Sequence, residues 1–248
     1  MIELNKIYKS FGAHDVLKGL SIKVEKGEIL VLIGMSGYGK SVILKHVVGL
    51  LNPDKGTVFV DGQEVNRLKK TALSDLRSRI GFLFQGGALF ESMTVFENIA
   101  FPLKEKAGLD RSIIEKKVHN VLDQVGLNGT DGKYPSQLSG GMQKRAALAR
   151  ELVWEPEIML FDEPTTGLDP IIGHAILNLI EDIHNRMHFT GIIITHELER
   201  VFKIVNKVAM LHEGVIIESG RPGEILASKN PYVRQFLSGD TEGPISYR

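Results

Sequence analysis

Apolar runs of strand length recur along the chain and predict buried strands. They stand at residues 28–33, 80–84, 158–162 and 191–195. Because nearly every position in them is apolar, they are typical of strands covered on both faces, as in a parallel sheet. Residues 41–50 and 171–186 carry apolar side chains at helical spacing, which predicts alternating strands and helices.

The middle of the chain has a different pattern. Residues 111–125 and 140–153 have helical spacing, and no strand-like run separates them. Further on, residues 208–218 read as two short strands joined by a turn. We therefore expect an α/β fold, with a doubly wound parallel core that a helical insert interrupts. The expected parts are a core at 1–85 and 156–235, a helical subdomain at 86–155 and a polar C-terminal tail at 236–248.

Composition narrows the function classes. The 248 residues are 43% hydrophobic, with 30 basic and 30 acidic side chains and no cysteine. A chain with balanced charge is not typical of proteins that bind nucleic acid by neutralising many phosphates, so we expect no nucleic-acid partner. Without cysteine there is no disulfide or thiol chemistry. No apolar run could cross a bilayer and the N-terminus has no signal-peptide pattern, so we expect a soluble chain.

A glycine-rich turn lies between the first apolar run and the first helix. Its sequence, GMSGYGKS, fits G-x-x-x-x-G-K-[ST], a match expected by chance in roughly 1% of chains this long. Glycines let several backbone N–H groups point at one anion, and the helix adds its positive end. Lys40 would reach the β- and γ-phosphates of a nucleotide, and the Ser41 hydroxyl would reach Mg²⁺. The predicted binding residues are Gly34, Met35, Ser36, Gly37, Tyr38, Gly39, Lys40, Ser41 and Val42.

Polar side chains end three of the later strands. Asp162 is placed to hold Mg²⁺ through water, and Glu163 to polarise the attacking water as general base. A solvent-exposed acid pair is the plainer alternative, which the glycine-rich loop in the same chain disfavours. Gln85 and His196 also follow apolar strands, so we expect them at the same carboxyl edge as candidate γ-phosphate sensors.

A second anion-binding pattern opens the helix predicted at 140–153. The sequence LSGGM places Ser139, Gly140 and Gly141 at the N-terminus of this helix. Taken alone, Ser139 is more simply a helix cap. Since one nucleotide does not need two cradles from one chain, we expect each copy to close this segment on ATP held by another copy. The prediction is a homodimer with two ATP molecules at its interface.

Over essentially its whole length the sequence resembles the ATPases of ABC transporters. GMSGYGKS resembles Walker A, LFQ the Q-loop, LSGGM the signature, IMLFDEP Walker B, TGLD the D-loop and ITHE the switch histidine. The resemblance implies a RecA-like P-loop core with an antiparallel β-subdomain, ATP and Mg²⁺ as cofactors, and ATP hydrolysis. It also implies that Phe11 stacks on adenine, that Asp169 contacts the nucleotide site, and that Gln85 joins the Mg²⁺ ligands.

Two positions depart from the usual family pattern. Val42 stands where a threonine or serine is usual, and Met142 stands where a glutamine is usual. Neither change touches Lys40, Asp162 or Glu163, so we expect hydrolysis to survive.

Longer stretches narrow the resemblance to the ATPase subunits of the Mla phospholipid-transport system. These are residues 82–103, residues 138–151, which contain Met142, and the ending VRQFLSGDTEGPISYR. The resemblance implies lipid movement between two membranes, or into plastids, with an integral membrane permease and an MCE-domain lipid-binding protein. It implies that the chain lies on the cytoplasmic face of the inner membrane as a peripheral protein. It also implies that the tail reaches the neighbouring ATPase, and it allows for a small regulatory subunit. The alternative is an ABC importer or exporter for another substrate class.

The segment 88–103 has two interpretations. It is rich in Leu, Phe, Val and Ile and lies next to Gln85, so it could dock the permease. Most of these side chains could equally fill the core of the helical insert.

Three other functions are weighed against transport. A DNA-repair ATPase would carry a long coiled coil between P-loop and signature, and no heptad run is present. A soluble translation-type ABC protein carries two motif sets, and this chain has one. A non-hydrolysing, nucleotide-gated protein is disfavoured by the intact Lys40, Asp162, Glu163 and His196.

Overall fold

The computed structural model describes residues 1–106 and 108–246, and its contacts group them into two compact units. The first unit comprises residues 1–76 and 190–248, and the second residues 77–189. Tyr247 and Arg248, the end of the predicted tail, lie outside the described residues. The boundaries of the core, helical subdomain and tail given above stay predictions.

The strands and helices alternate over much of the chain. The strands are β1 (Ile2–Phe11), β2 (His14–Val24), β3 (Ile29–Ile33), β4 (Lys55–Val60), β5 (Gln63–Glu64), β6 (Ile80–Leu83), β7 (Ile158–Asp162), β8 (Thr190–Ile194), β9 (Lys207–His212) and β10 (Val215–Gly220). The helices are α1 (Lys40–Val47), α2 (Lys70–Arg77), α3 (Val95–Lys106), α4 (Arg111–Gln124), α5 (Gly140–Leu152), α6 (Pro170–Met187), α7 (Leu198–Ile204), α8 (Pro222–Leu226) and α9 (Pro231–Ser238).

The first unit contains an antiparallel sheet with the order β2-β1-β4-β5. Alternate residues of β1, such as Ile2 and Leu4, are buried, as expected for a sheet with one covered face. The alternation breaks where Lys6 takes a positive φ of 48° and the register with β2 shifts. This sheet is the antiparallel β-subdomain that the family resemblance implies.

The same unit contains parallel strands. β3 pairs in parallel with β8 on one side and β9 on the other, and β9 continues into the antiparallel hairpin with β10. All five residues of β3 and of β8 are buried. The continuous apolar runs therefore mark strands covered on both faces, and the hairpin prediction is confirmed.

The second unit combines a parallel pair of strands with helices. β6 runs parallel to β7, with Leu83 opposite Phe161. Between these strands the described residues form helices, turns and loops and no strand. The helical insert and the α/β fold class are thus confirmed.

The sequence pattern missed several elements. They are β1, β5, α2, α3, α7, α8 and α9. The polar tail also differs from expectation, because Ile245 is only 3% exposed and packs onto its own chain. No helix among the described residues has the length and hydropathy needed to span a membrane.

Candidate nucleotide site

The glycine-rich loop follows β3 and leads directly into α1. Gly37 and Gly39 have φ of 84° and 91°, and these angles are strained for any residue that has a Cβ. A Cβ at Gly34 would overlap the carbonyl oxygen of Leu211, at the end of the neighbouring strand β9. The loop therefore needs glycine where its backbone passes close to the sheet.

Lys40 occupies the inside of this loop. Its side chain is only 6% exposed, and Nζ donates to the carbonyl oxygens of Gly34 (2.7 Å) and Met35 (2.8 Å). The ammonium is held where the loop curves, and α1 begins at the same residue. A buried cation beside a helix N-terminus suits a phosphate group, so the residues present fit a bound nucleotide.

Tyr38, one of the predicted binding residues, lies in a row of aromatic rings. Its ring meets His212 edge-on at 5.4 Å between centroids, and His212 lies 4.7 Å from the Tyr232 ring. His212 ends β9 and Tyr232 belongs to α9. The row thus connects the loop to the C-terminal helix, a contact that sequence spacing could not reveal.

Two other predicted residues belong to the first unit. His196 lies just beyond the carboxyl end of β8, the parallel neighbour of β3, and is exposed. It therefore lies at the same sheet edge as the glycine-rich loop. Phe11 ends β1 with 47% of its surface exposed, and Lys9 Nζ stands 5.6 Å from its ring centre. An exposed aromatic face is suited to stacking on a base.

Helix α1 contains a buried histidine whose environment favours the neutral ring. His46 is 1% exposed, and its Nδ1 lies 2.7 Å from the carbonyl oxygen of Val42, so Nδ1 is the donor. Its Nε2 is buried and has no hydrogen-bond partner among the described residues. Burial lowers the pKa of His46, because the charged ring would lose its hydration.

The second unit brings the acids and Gln85 to one edge. β6 and β7 are parallel, so Gln85 and the pair Asp162 and Glu163 follow their carboxyl ends side by side. Asp162 is 7% exposed. Glu163 has a positive φ of 53°, a conformation that non-glycine residues adopt rarely and often at functional sites. Thr166 Oγ1 donates to Glu163 Oε2 at 3.4 Å.

The signature segment has the geometry of a capped helix. Ser139 is the N-cap of α5, and its Oγ accepts from Met142 N at 3.4 Å. This bond uses an oxygen lone pair, so the hydroxyl proton can still serve an anion. A Cβ at Gly141 would lie 2.6 Å from Ile172 Cγ2, which accounts for glycine there. Both the cap and the cradle interpretation of Ser139 are compatible with this arrangement.

Asp169 lies at the start of the next helix. It is the N-cap of α6, and Oδ1 accepts from Ile171 N and Ile172 N, both at 3.1 Å. Pro170 follows at the first helical position. Its nucleotide contact stays a prediction.

Sequence reasoning missed two cations on α5. Lys144 Nζ donates to the backbone oxygen of Gln85, and the Arg150 guanidinium donates to Gly87 O (3.0 Å) and Ala88 O (2.6 Å). A lysine inside an alanine-rich helix face was the available signal, since burial of Lys144 follows from that pattern.

Comparison with known proteins places this geometry in a family. The sequence pattern described as "ABC transporter" matches residues 17–166. The chain belongs to the ABC transporter family. It is the ATP-binding, ATP-hydrolysing subunit of such a transporter, as the family resemblance implied.

Relatives of known name match 98–100% of this chain. The "Intermembrane phospholipid transport system ATP-binding protein MlaF" of Haemophilus influenzae is 38% identical, covering 100% of this chain and 94% of that protein. The chloroplastic protein TRIGALACTOSYLDIACYLGLYCEROL 3 of Arabidopsis thaliana is 41% identical, covering 100% and 76%. The "Probable ribonucleotide transport ATP-binding protein mkl" of Mycobacterium bovis is also 41% identical, covering 98% and 68%.

Solved structures share the fold. CbiO1 from Clostridium perfringens, described as part of the ABC transporter complex cbiONQ, has a TM-score of 0.84 at 30% identity and covers 92% of this chain and 91% of its own. The cassette MJ0796, solved as a dimer in a post-hydrolysis state with ADP and Pi, has a TM-score of 0.82 at 29% identity, covering 90% and 99%. The predicted RecA-like fold class is confirmed.

Proposed function

We propose that this ABC ATPase drives phospholipid transport, together with an integral membrane permease and an MCE-domain lipid-binding protein. The observation that carries the proposal is the end-to-end match to the Haemophilus influenzae phospholipid-transport ATPase. The stretches 82–103 and 138–151, quoted above, support the same branch. Transport of another substrate class is the alternative, which the name of the mycobacterial relative favours.

The roles of the first unit follow from its loop. Lys40 and the N–H groups of the glycine-rich loop bind the phosphates, and Phe11 stacks on the base. Ser41 would hold Mg²⁺ together with Gln85 and Asp162 of the second unit, with Asp162 acting through water, and the ion would neutralise charge on the phosphates. His196 contacts the γ-phosphate.

The acids of the second unit supply the proton chemistry. Glu163 orients the attacking water and takes its proton, and the left-handed backbone fixes the direction of its carboxylate. Thr166 Oγ1, which donates to the same carboxylate, restricts it further.

The signature acts on the nucleotide of a second copy. Ser139, Gly140 and Gly141 close on the γ-phosphate bound by the loop of the partner chain, so that ATP joins two chains in a homodimer. The dimeric state in which MJ0796 was solved supports this arrangement.

A cleft in the second unit is suited to a permease segment. It has a volume of about 340 Å³, and its lining includes Phe90, Phe101 and Trp154. Phe90 is 42% exposed, whereas Val95, Ile99 and other apolar residues of 88–103 are buried in the insert's own core. The segment thus provides core packing and an exposed apolar wall, and we assign that wall to the permease. By this account the chain sits on the cytoplasmic face of the inner membrane.

Purification of the tagged full-length chain from membranes tests the substrate. In mild detergent we expect a multi-span permease and an MCE-domain protein to copurify, and mass spectrometry to find bound phospholipid. The Phe90→Asp variant should reduce recovery of the permease, because it puts a charge on the exposed wall of the cleft. Its ATP binding, measured as a control, should be unchanged. A permease that copurifies without an MCE-domain protein or phospholipid would favour the alternative substrate class.

A further inference from the structure

One helix holds three backbone carbonyls of the segment that follows β6. We call residues 85–88 the Q-loop segment. Lys144 of α5 donates to the oxygen of Gln85, and Arg150 of the same helix donates to those of Gly87 and Ala88. Three of these four residues are therefore attached to α5 by charged donors, which form the stronger class of hydrogen bond.

Lys144 needs this contact. The side chain is only 9% exposed. An ammonium taken out of water is costly unless a hydrogen bond compensates it. Displacing the Gln85 carbonyl would leave that cation without compensation, so the two groups should move together.

The backbone of the segment has an unusual shape that the second cation maintains. Gly87 and Ala88 have φ of 72° and 49°, and the positive φ at Ala88 is strained for a residue with a Cβ. Arg150 binds the carbonyls of these two residues and is itself held by Glu151, since Nε donates to Oε1 at 3.2 Å.

Glu151 connects the same helix to β6. Its Oε2 accepts from Phe82 N at 3.2 Å, and burial raises its pKa although Arg150 opposes the shift. The strand end and the loop that follows it are therefore both attached to α5.

The other end of α5 carries Ser139, the N-cap. Lys144 is five residues further on, about 7.5 Å along the axis at the rise of an α-helix. The helix thus carries the signature serine and the anchor of Gln85 within about one and a half turns.

We propose that Lys144 is a positioning residue that fixes the backbone of Gln85 to α5, so that Gln85 and Ser139 move as one body. The proposal rests on the sensor and Mg²⁺ role assigned to Gln85. Lys144 touches no nucleotide in this account and acts only through the Q-loop segment.

The main variant is Lys144→Met, which keeps the length of the side chain and removes the donor. In steady-state assays of the full-length chain we expect kcat to fall about 10- to 10²-fold, because a misplaced group far from the reacting atoms has effects of that size. The KM for ATP should stay within about twofold, since the glycine-rich loop and Phe11 are unchanged. The Mg²⁺ concentration at half-maximal rate should rise. Lys144→Arg should restore most of the rate, because a cleft of about 330 Å³ beside Gln85 and Lys144 has room for a guanidinium.

A readout without nucleotide accompanies the kinetics. Hydrogen exchange of the Gly87 amide, which donates to Phe84 O at 2.8 Å, should become about tenfold faster in Lys144→Met, because the turn that contains this bond loses an attachment to α5. The amides of α5 should exchange as in the wild type. Unchanged exchange of the Gly87 amide would contradict the anchoring role.

The Gln85→Ala background separates a positioning role from an independent one. If Lys144 acts through Gln85, Lys144→Met adds no further loss of kcat to Gln85→Ala. Arg145→Met is the matched control, because Arg145 Nη1 also donates to a backbone oxygen, that of Val125 at 3.4 Å, away from the Q-loop segment. Its effect should be the same factor in both backgrounds.

The outcomes distinguish the positioning role of Lys144 from the sensor and Mg²⁺ role of Gln85. Losses from Lys144→Met and Gln85→Ala that multiply, or a Lys144→Met variant with wild-type kcat, would overturn the positioning role alone. A Gln85→Ala variant with wild-type kcat and Mg²⁺ dependence would refute the role of Gln85, and the positioning role with it.

Discussion

At the residue scale, Glu163 combines a left-handed backbone with a position directly after the buried strand β7. Glu163 is held at a positive φ directly after Asp162, and its carboxylate accepts from Thr166. Such strain persists where surrounding contacts fix it, and here it sets the direction of the group to which we assign the attacking water.

Glu163→Gln tests that assignment. Without a base we expect turnover of the full-length chain to fall about 10²- to 10⁴-fold, while ATP binding is retained and the ATP-bound dimer accumulates. Glu155→Gln is a matched control, because Glu155 also has a positive φ, of 56°, and instead accepts from Lys117 Nζ at 3.0 Å. Normal hydrolysis by Glu163→Gln, or an equal loss in Glu155→Gln, would refute the assignment.

The sequence pattern predicted the strand ends that carry the candidate residues of each unit. Gln85 and Asp162 follow the parallel pair β6 and β7, and His196 follows β8, the parallel neighbour of β3, so each set lies at a carboxyl edge within its own unit. The contacts of Lys144 and His212 could not be foreseen, because they depend on distances between segments far apart in the chain.

At the element scale, predictability followed the regularity of the apolar pattern. β3, β7 and β8 are buried throughout and were found, whereas β1 loses its alternation at the left-handed Lys6. α3 was missed because Pro102 lies inside it. A helix that contains proline gives a weak local signal even when its neighbours in the fold support it.

The sequence pattern also failed to predict the order of α9 and the stretch that follows it. Gln235 of α9 is 5% exposed; its Nε2 donates to the oxygens of Asp240 and Ile245, both at 3.2 Å, and its Oε1 accepts from Ile245 N at 2.7 Å. One buried glutamine thus orders a stretch whose composition is typical of a loose tail.

Gln235→Ala should release this stretch. Losing the bond to Ile245 N removes about 1–1.5 kcal/mol, so hydrogen exchange of the Ile245 amide should accelerate about tenfold. Arg234→Ala, at the exposed neighbouring position, should leave that amide unchanged. Full protection of Ile245 in Gln235→Ala would show that other contacts hold the segment.

At the scale of the whole molecule, the candidate residues are divided between the two compact units. The glycine-rich loop and His196 belong to the first unit, and Gln85, Glu163 and Ser139 to the second. Under the proposed function, hydrolysis also needs a second chain, because Ser139 would bind the nucleotide held by a partner copy.

The most direct test is the structure of full-length Glu163→Gln bound to Mg-ATP. The quantity to measure is the distance from Ser139 Oγ to the nearest γ-phosphate oxygen. We predict a two-fold dimer in which that distance is a hydrogen bond of about 2.5–3.0 Å, made to the nucleotide held by Lys40 of the other chain. An ATP-bound dimer in which Ser139 lies far from every phosphate would contradict the account.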